Sequence, residues 1–477
     1  MQSIQRWFTE TTGGLPRAFW HLWTVTLINR LGSFVVIYMT LYLSVVRDLS
    51  PGVIGILLGA QGAGAIVGTQ VSGALTDRWG RRKTLLLANV LSIAVLIALA
   101  FVSQVWLIGV LLAALGGTMN MARPAFSAMI ADLIPAARRI QAYTLNYWAI
   151  NLGFSGAALL AGLVAGWNFQ LIFFINAAAI TVSTVIIWFK IPETRPADAV
   201  VPDTPRAAER SRGSLRIIAR DRVFLAFVGL TFLPAFLMSS MEALLPLQVT
   251  GSGLTEQQYS WIIATNGIII VVGQLFIPKL VDGRSRTRVL ALASVFWAVG
   301  VGATGIASSV PVFMLTVLVW TIGEMLQTPA NSATIADLAP ADMRGRYQAT
   351  FSLSWQAASL TAPALGGLGL QYLGSGWWLI AFVVGIAAAV GNLAAGPSRD
   401  RRLAVMYAAE KADKAEKAMQ EDHASKDAEP ADQAGRVEKI DTPTEVSVDA
   451  EEPAVTAESI LRPRAFDDTG EIEAVRA

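Results

Sequence analysis

Apolar runs of about twenty residues alternate with short polar joints along most of this chain, the length a helix needs to cross a hydrocarbon layer. They fall at 18–46, 52–75, 84–104, 106–130, 141–166 and 169–189. After a polar stretch they resume at 223–249, 257–280, 289–308, 311–335, 347–371 and 376–396. The pattern predicts an all-α membrane protein of twelve spans. The polar remainder comprises a slightly basic N-terminal stretch (1–17), a connection rich in Pro, Ala and Arg (190–222) and a tail (397–477) that becomes acidic. Residues 215–222 have the pattern of a short amphipathic helix. Residues 403–420 are helix formers that extend the last span, and the composition beyond them predicts disorder. No small-residue cleavage site follows the first apolar run, so that run is expected to be retained.

The pattern repeats. A shift of 205 residues places Gly68 on Gly273, Leu75 on Leu280, Asp77 on Asp282, Arg81 on Arg286 and Lys83 on Arg288. The same shift places Pro124 on Pro329, Ala131-Asp132-Leu133 on Ala336-Asp337-Leu338, Arg139 on Arg344 and Gly162 on Gly367. Two six-helix halves, 18–189 and 223–396, are therefore predicted to be related in parallel, by an axis along the membrane normal.

Charge sets the orientation. With the N-terminus inside, the inner loops hold Arg78, Arg81, Arg82, Lys83, Arg138, Arg139, Lys279, Arg284, Arg286, Arg288, Arg344 and Arg346, and the outer loops hold Arg47 alone. Both termini are then cytoplasmic. Composition agrees with a membrane protein: 54% of residues are apolar and 15% charged, against about 25% charged in soluble domains. The net charge of +2 conceals basic loops offset by the acidic tail. There is no cysteine and only two histidines, His21 and His423, which excludes disulfides, thiolate metal sites and histidine clusters. No phosphate-binding Gly-x-x-x-x-Gly-Lys-Ser/Thr loop or nucleophile–base pairing is visible. The expectation is a non-enzyme without cofactor, metal or nucleic-acid partner.

Four ionisable residues lie deep in spans: Arg30, Arg123, Glu242 and Glu324, one each in spans one, four, seven and ten. A charge at the bilayer centre costs about 2.5–3.5 kcal/mol on insertion scales, so such residues face a bundle interior or a wet cavity. Arg30 lies about 18 Å into its span at 1.5 Å per residue. Glu324 is similarly deep, Arg123 is within snorkelling reach of the inner end, and Glu242 lies towards the outer mouth. A low-dielectric cavity favours the protonated form of a carboxylate, and a neighbouring arginine favours the charged form. Glu324 or Glu242 facing Arg30 or Arg123 can thus alternate between protonated and ion-paired states; the same residues can equally form static pairs that tie the bundle together. Asn29 and Asn120 adjoin these charges, and Asn146, Asn151, Asn266, Gln327, Asn331 and Gln356 are further polar residues within spans. Trp148, Trp261, Trp320 and Trp355 are candidates for an aromatic cavity wall or for packing.

Between the second and third spans the chain reads Gly73-Ala74-Leu75-Thr76-Asp77-Arg78-Trp79-Gly80-Arg81-Arg82-Lys83. Position by position this resembles the loop signature of the major facilitator superfamily, G-x-L-x-D-R-x-G-R-R-K. The resemblance covers roughly residues 15–397. It implies a twelve-span transporter whose central cavity is lined by spans one, four, seven and ten. It also implies a latch: Asp77 against the start of the helix near Arg346, where free amides favour an anion, with Arg81 and Arg82 reaching acids such as Asp132. Gly73, Arg78 and Gly80 belong to the same loop. Asp282 and Arg286 form a degenerate copy in which Ser285 replaces Gly80.

Softer likenesses point to bacterial multidrug:proton antiporters of that superfamily: Asn29-Arg30 with Tyr38-Met39-Thr40-Leu41-Tyr42-Leu43, and Arg344-Gly345-Arg346-Tyr347 after Asp337-Leu338-Ala339-Pro340. Two features depart from the family pattern. Pro124 directly follows Arg123, and the antiporter Pro-x-x-Gly-Gly element lies on span eleven (Pro363 to Gly367), with Ala158 at the span-five counterpart. The resemblance implies proton-coupled export of drug-like or amphipathic molecules from the cytoplasm through a bacterial inner membrane, by a monomer whose partners are substrate, protons and lipid. Proton-coupled uptake of a small nutrient is the alternative, and a non-transporting sensor a third.

Overall fold

The computed structural model describes residues 13–135, 138–194, 216–274, 276–281, 283–340 and 343–427. The N-terminal stretch up to residue 12, most of the 190–222 connection, Asp282 and the tail beyond 427 lie outside the described residues. Those described are overwhelmingly helical, with no strand among them.

The helices, in order, are α1 (Arg17–Leu31), α2 (Phe34–Leu41), α3 (Pro51–Trp79), α4 (Arg81–Phe101), α5 (Val105–Leu133), α6 (Arg139–Ala165) and α7 (Leu171–Lys190). They continue with α8 (Arg222–Gly251), α9 (Glu256–Gly273), α10 (Ile277–Val281), α11 (Arg286–Ala303), α12 (Val310–Leu338), α13 (Arg344–Leu373) and α14 (Gly376–Asp427). Ten segments are long and apolar enough to cross a membrane, α1 and α2 counting as one. The two remaining expected spans are α9–α10 and α13. The first is interrupted after Gly273, and the second carries Gln348, Ser352, Ser354, Gln356, Ser359 and Thr361 along its length.

The first span breaks at Gly32–Ser33, immediately after Arg30. The Ser33 hydroxyl donates to the Arg30 carbonyl at 2.7 Å and takes up a group that the break releases. At depth, irregular backbone is tolerated where it is buried in protein or lines a wet cavity. Proline adds further irregularity inside helices. Pro124 removes the amide that would bond the Asn120 carbonyl, and Pro329 does the same at the equivalent position of α12.

Packing divides the molecule along its helices. At the ends away from the basic loops, one hydrophobic core runs through both halves, from Tyr38, Tyr42 and Leu57 through Phe173 to Leu244, Tyr259 and Trp378. At the basic ends there are two separate cores. One gathers Phe19, Leu22, Leu85, Met129 and Ile187, and the other Phe224, Phe227, Leu290, Leu338 and Tyr347. The halves meet where α3 packs on α13, α6 on α9 and α2 on α8. Glycine allows the tightest of these approaches. A Cβ on Gly55 would run into the Pro363 carbonyl and lie 3.0 Å from the Gly367 Cα. Tyr38 closes the same end by donating to the Glu256 carbonyl at 2.8 Å and sharing a hydrogen bond with the Ser260 hydroxyl.

The described residues fall into two compact units divided between Glu410 and Lys411. The final helix extends to Asp427, so residues 397–427 of the predicted tail are helical.

Candidate functional site

Arg30 lies in the last turn of α1, Arg123 precedes the proline of α5, Glu242 lies in the C-terminal half of α8 and Glu324 lies near the middle of α12. The structure brings the first three together: the charges of Arg30 and Arg123 both act on Glu242, and that of Arg123 also acts on Arg30. Glu242 is therefore a member of a charged cluster with the arginines that the sequence offered it as partners. Arg123 and Glu242 remain accessible although each sits well inside a long helix, and Arg30 is half-buried. Accessible charges at that depth line an internal space. Among the described residues, direct ion pairs occur elsewhere, at Arg81–Asp132, Arg286–Asp337 and Arg402–Asp221.

Glu324 sits differently. Its carboxylate accepts a hydrogen bond from Asn266 Nδ2 at 3.1 Å, and the same amide donates to Thr321 Oγ1 at 3.0 Å. Its charge acts on Tyr147 of α6, and Glu242 acts on it in turn. Its partner is thus a neutral donor, with no cation paired to it among the described residues. Tyr259 lies beside Glu242 and packs edge-to-face on Tyr38, with ring centroids 5.9 Å apart. Neither Tyr147 nor Tyr259 stood out in the sequence. Tyr259 and Asn266 are seven residues apart on α9 and so share a face, a signal that spacing carried.

The two asparagines diverge. Asn29 has a buried Oδ1 with no donor, whereas Asn120 donates to the Gly116 carbonyl of its own helix at 2.9 Å. Trp320 is buried and stacks on Trp297, with centroids 5.4 Å apart, while Trp261 is exposed. Both are therefore packing or outward-facing groups.

At the basic end, Gly73 lies in the last turns of α3, exposed, with open space where a Cβ would stand. Asp77 also lies there, but its side chain is outside the described set; Arg78 is exposed. Gly80 joins α3 to α4 with φ 105°, a conformation that L side chains rarely adopt. The turn leads two amides to one carboxylate: Arg81 N–H donates to Glu193 Oε1 at 2.8 Å and Arg82 N–H to Oε2 at 3.2 Å. Glu193 thus caps the N-terminus of α4, where an anion is favoured. Sequence reasoning missed it: it is an acid at the start of the 190–222 connection, about 110 residues from the basic loop it reaches. Arg81 pairs with Asp132 at 3.1 Å, and the Thr194 hydroxyl donates to the same carboxylate at 3.0 Å. Arg82 reaches the Trp188 carbonyl and lies 5.6 Å over that indole. In the second half Arg286 pairs with Asp337, the pair that the 205-residue shift maps from Arg81 and Asp132. Among the described residues no group of three or more metal-ligating side chains forms.

These features define a helical membrane protein with a charged internal space between two similar halves. The sequence profile of the Major Facilitator Superfamily matches residues 22–255 and 244–421, and the chain belongs to that family. It is 25% identical over 366 residues to the uncharacterized MFS-type transporter YttB of Bacillus subtilis, covering 76% of this chain and 90% of that protein. It is 24% identical over 378 residues to a Na(+), Li(+), K(+)/H(+) antiporter of Planococcus maritimus (73% and 88% covered). Multidrug resistance protein 2 of B. subtilis is 24% identical over 333 residues (68% and 81%). Among solved structures, a point mutant of the nucleoside transporter NupG superposes with a TM-score of 0.69 at 12% identity, over 79% of this chain and 99% of that one. This likeness shows the fold. The protein is a secondary transporter of the Major Facilitator Superfamily, with membrane-spanning helices and a small-molecule substrate.

Proposed function

We propose that this protein exchanges protons for drug-like or amphipathic small molecules, exporting them across the inner membrane of a bacterium by alternating access. The observation that carries the reading is the contrast between the two carboxylates. Glu242 lies among two arginine charges, while Glu324 is held by a neutral donor, Asn266. Glu324 is the group that loads and releases the proton. Arg30, Arg123 and Glu242 form the neighbouring cluster through which substrate occupancy is sensed, with Asn29 beside it. An arginine closing on Glu324 would favour proton release, and a retreating one proton uptake.

The undivided core away from the basic loops and the two separate cores at the basic end support a conformer closed on one side. The basic end is the cytoplasmic one, in keeping with the distribution of Lys and Arg. Two six-helix units, 18–189 and 223–396, would then rock against each other, joining and parting at the α3–α13 and α6–α9 contacts, as a monomer. Asp77, with Gly73, Arg78, Gly80, Arg81 and Arg82, would close the cytoplasmic side in the opposite conformer, and Asp282 with Arg286 would form the second latch. The names of two relatives, a multidrug resistance protein and a cation/H(+) antiporter, support export coupled to protons.

The test is the internal pH of energised inverted vesicles containing the protein, while lipophilic cations and neutral drugs are added. Proton efflux on addition of a compound is expected. Silence across the panel, with proton-linked accumulation of sugars, organic acids or peptides in right-side-out vesicles, would replace export by uptake.

A further inference from the structure

The repeat exposes a difference between the two basic-end loops. In the first half, the amides that open α4 are taken by the Glu193 carboxylate. The residue 205 positions further on is Ser398. At the equivalent helix α11, the N-cap residue Ser285 makes no side-chain hydrogen bond to the first amides. In its place lies a cavity of about 350 Å³, bordered by the first residues of α11, Thr334 of α12 and the Arg399–Asp400 stretch of α14.

Arg399 is the unusual member. Only 3% of it is exposed. Nη1 donates to Asn392 Oδ1 at 3.1 Å, and Nη2 donates to the Asn392 carbonyl at 2.8 Å and to Thr287 Oγ1 at 3.4 Å. A guanidinium has five N–H groups, so those three bonds leave two unspent in a nearly inaccessible side chain. No carboxylate pairs with it among the described residues, and a buried charge left in that condition is costly. Arg286 and Asp337 on the same wall neutralise each other. Among the described lining residues that leaves Arg284, Arg399 and Asp400, one net positive charge.

The surface beside the cavity is apolar. α11 exposes Leu292, Val295 and Val299, which lie on one face, and α14 exposes Val390 and Leu393. The two helices touch at Thr287 with Gly396 and at Ala298 with Gly385. A molecule seated by a negative head in the cavity therefore has an apolar strip to lie against.

We propose that this cavity binds a singly charged phosphate group, the phosphodiester of an anionic membrane lipid, in the position that Glu193 fills in the other half. Arg399 and Arg284 hold the charge, and the Thr287 hydroxyl with the first amides of α11 completes the set of donors. The site is outside the transport cavity and independent of the transported substrate.

Native mass spectrometry of the delipidated full chain tests this, with phosphatidylglycerol, phosphatidylcholine and inorganic phosphate as separate probes. One phosphatidylglycerol adduct is expected to form at least about tenfold more tightly than a phosphatidylcholine adduct, and to raise the melting temperature. Arg399→Gln and Arg284→Ala should each abolish that preference, and Arg399→Lys should keep part of it. Arg284 is exposed, so its variant carries the test if Arg399→Gln does not fold. An unchanged preference in Arg284→Ala overturns the site. Equal protection by inorganic phosphate, lost in the same variants, overturns the lipid and assigns the cavity to a soluble anion.

Discussion

Gly55→Ala should shift the protein between its conformers without unfolding it. In this structure α3 and α13 approach so closely that an added Cβ meets the Pro363 carbonyl and the Gly367 Cα at 3.0 Å. Both obstacles are backbone atoms and cannot rotate aside. The helices must separate, and overpacking of this kind costs about 1–3 kcal/mol. That cost falls only on the conformer in which α3 and α13 are joined. The equilibrium should move towards the parted conformer by roughly 5- to 150-fold. The chain has no cysteine, so a single Thr328→Cys, one turn from Glu324, reports access without background. An impermeant thiol reagent should label it faster from the side away from the basic loops and more slowly from the basic side. Gly64→Ala is the control, because its Cβ would meet the Ala113 backbone within the same half. It should lower the melting temperature and leave the ratio of the two labelling rates alone. Unchanged rates from both sides in Gly55→Ala, in a protein that still folds, would refute the reasoning.

Three further outcomes follow. Glu324→Gln should fold normally, because the carboxamide oxygen still accepts from Asn266, and should lose substrate-driven proton movement in vesicles; intact coupling would move the proton to another group. Tyr38→Phe removes the hydroxyl that bonds Glu256 and Ser260, at about 0.5–1.5 kcal/mol per bond, and should speed labelling of Thr328→Cys from the side away from the basic loops; an unchanged rate would show that this contact does not hold that end closed. Partial burial pushes the Asp221 carboxyl up, but hydrogen bonds from Arg402, the Phe224 amide and Tyr347 outweigh it and hold the group below the ordinary aspartate value. Its stabilisation is then complete above the ordinary aspartate range and lost as pH falls through the lowered value, so acid melting curves should flatten in Asp221→Asn, and identical curves would refute the pairing.

The spans were legible because twenty-residue apolar runs have few alternative readings in this composition, and the halves because the 205-residue shift aligns charged and glycine positions together. What the sequence hid depends on contacts between distant segments. Glu193 looked like one acid in a polar joint, and only the turn at Gly80 brings the amides of Arg81 and Arg82 to it. The break at Gly32–Ser33 was invisible because Leu31 and Phe34 continue the apolar pattern across it. Depth along a helix also left open which of the two glutamates the arginines face, since that is decided by how α8 turns relative to α1 and α5.

The repeat is more informative where it fails. Arg81–Asp132 and Arg286–Asp337 are retained in both halves, so the ion pair that fastens each basic loop to the end of its neighbouring long helix is common to the two. The helix cap is not: a carboxylate covers α4, and a buried arginine stands beside the start of α11, where the Ser285 side chain makes no cap. The deep charges are also distributed unequally, with both arginines in the first half and both glutamates in the second. A symmetric pair of bundles would bring two equivalent charge sets together and give neither carboxylate a distinct environment. Placing the arginines on one side lets Glu242 lie among them while Glu324 is left to Asn266, and that difference is what the proposed rocking motion would change.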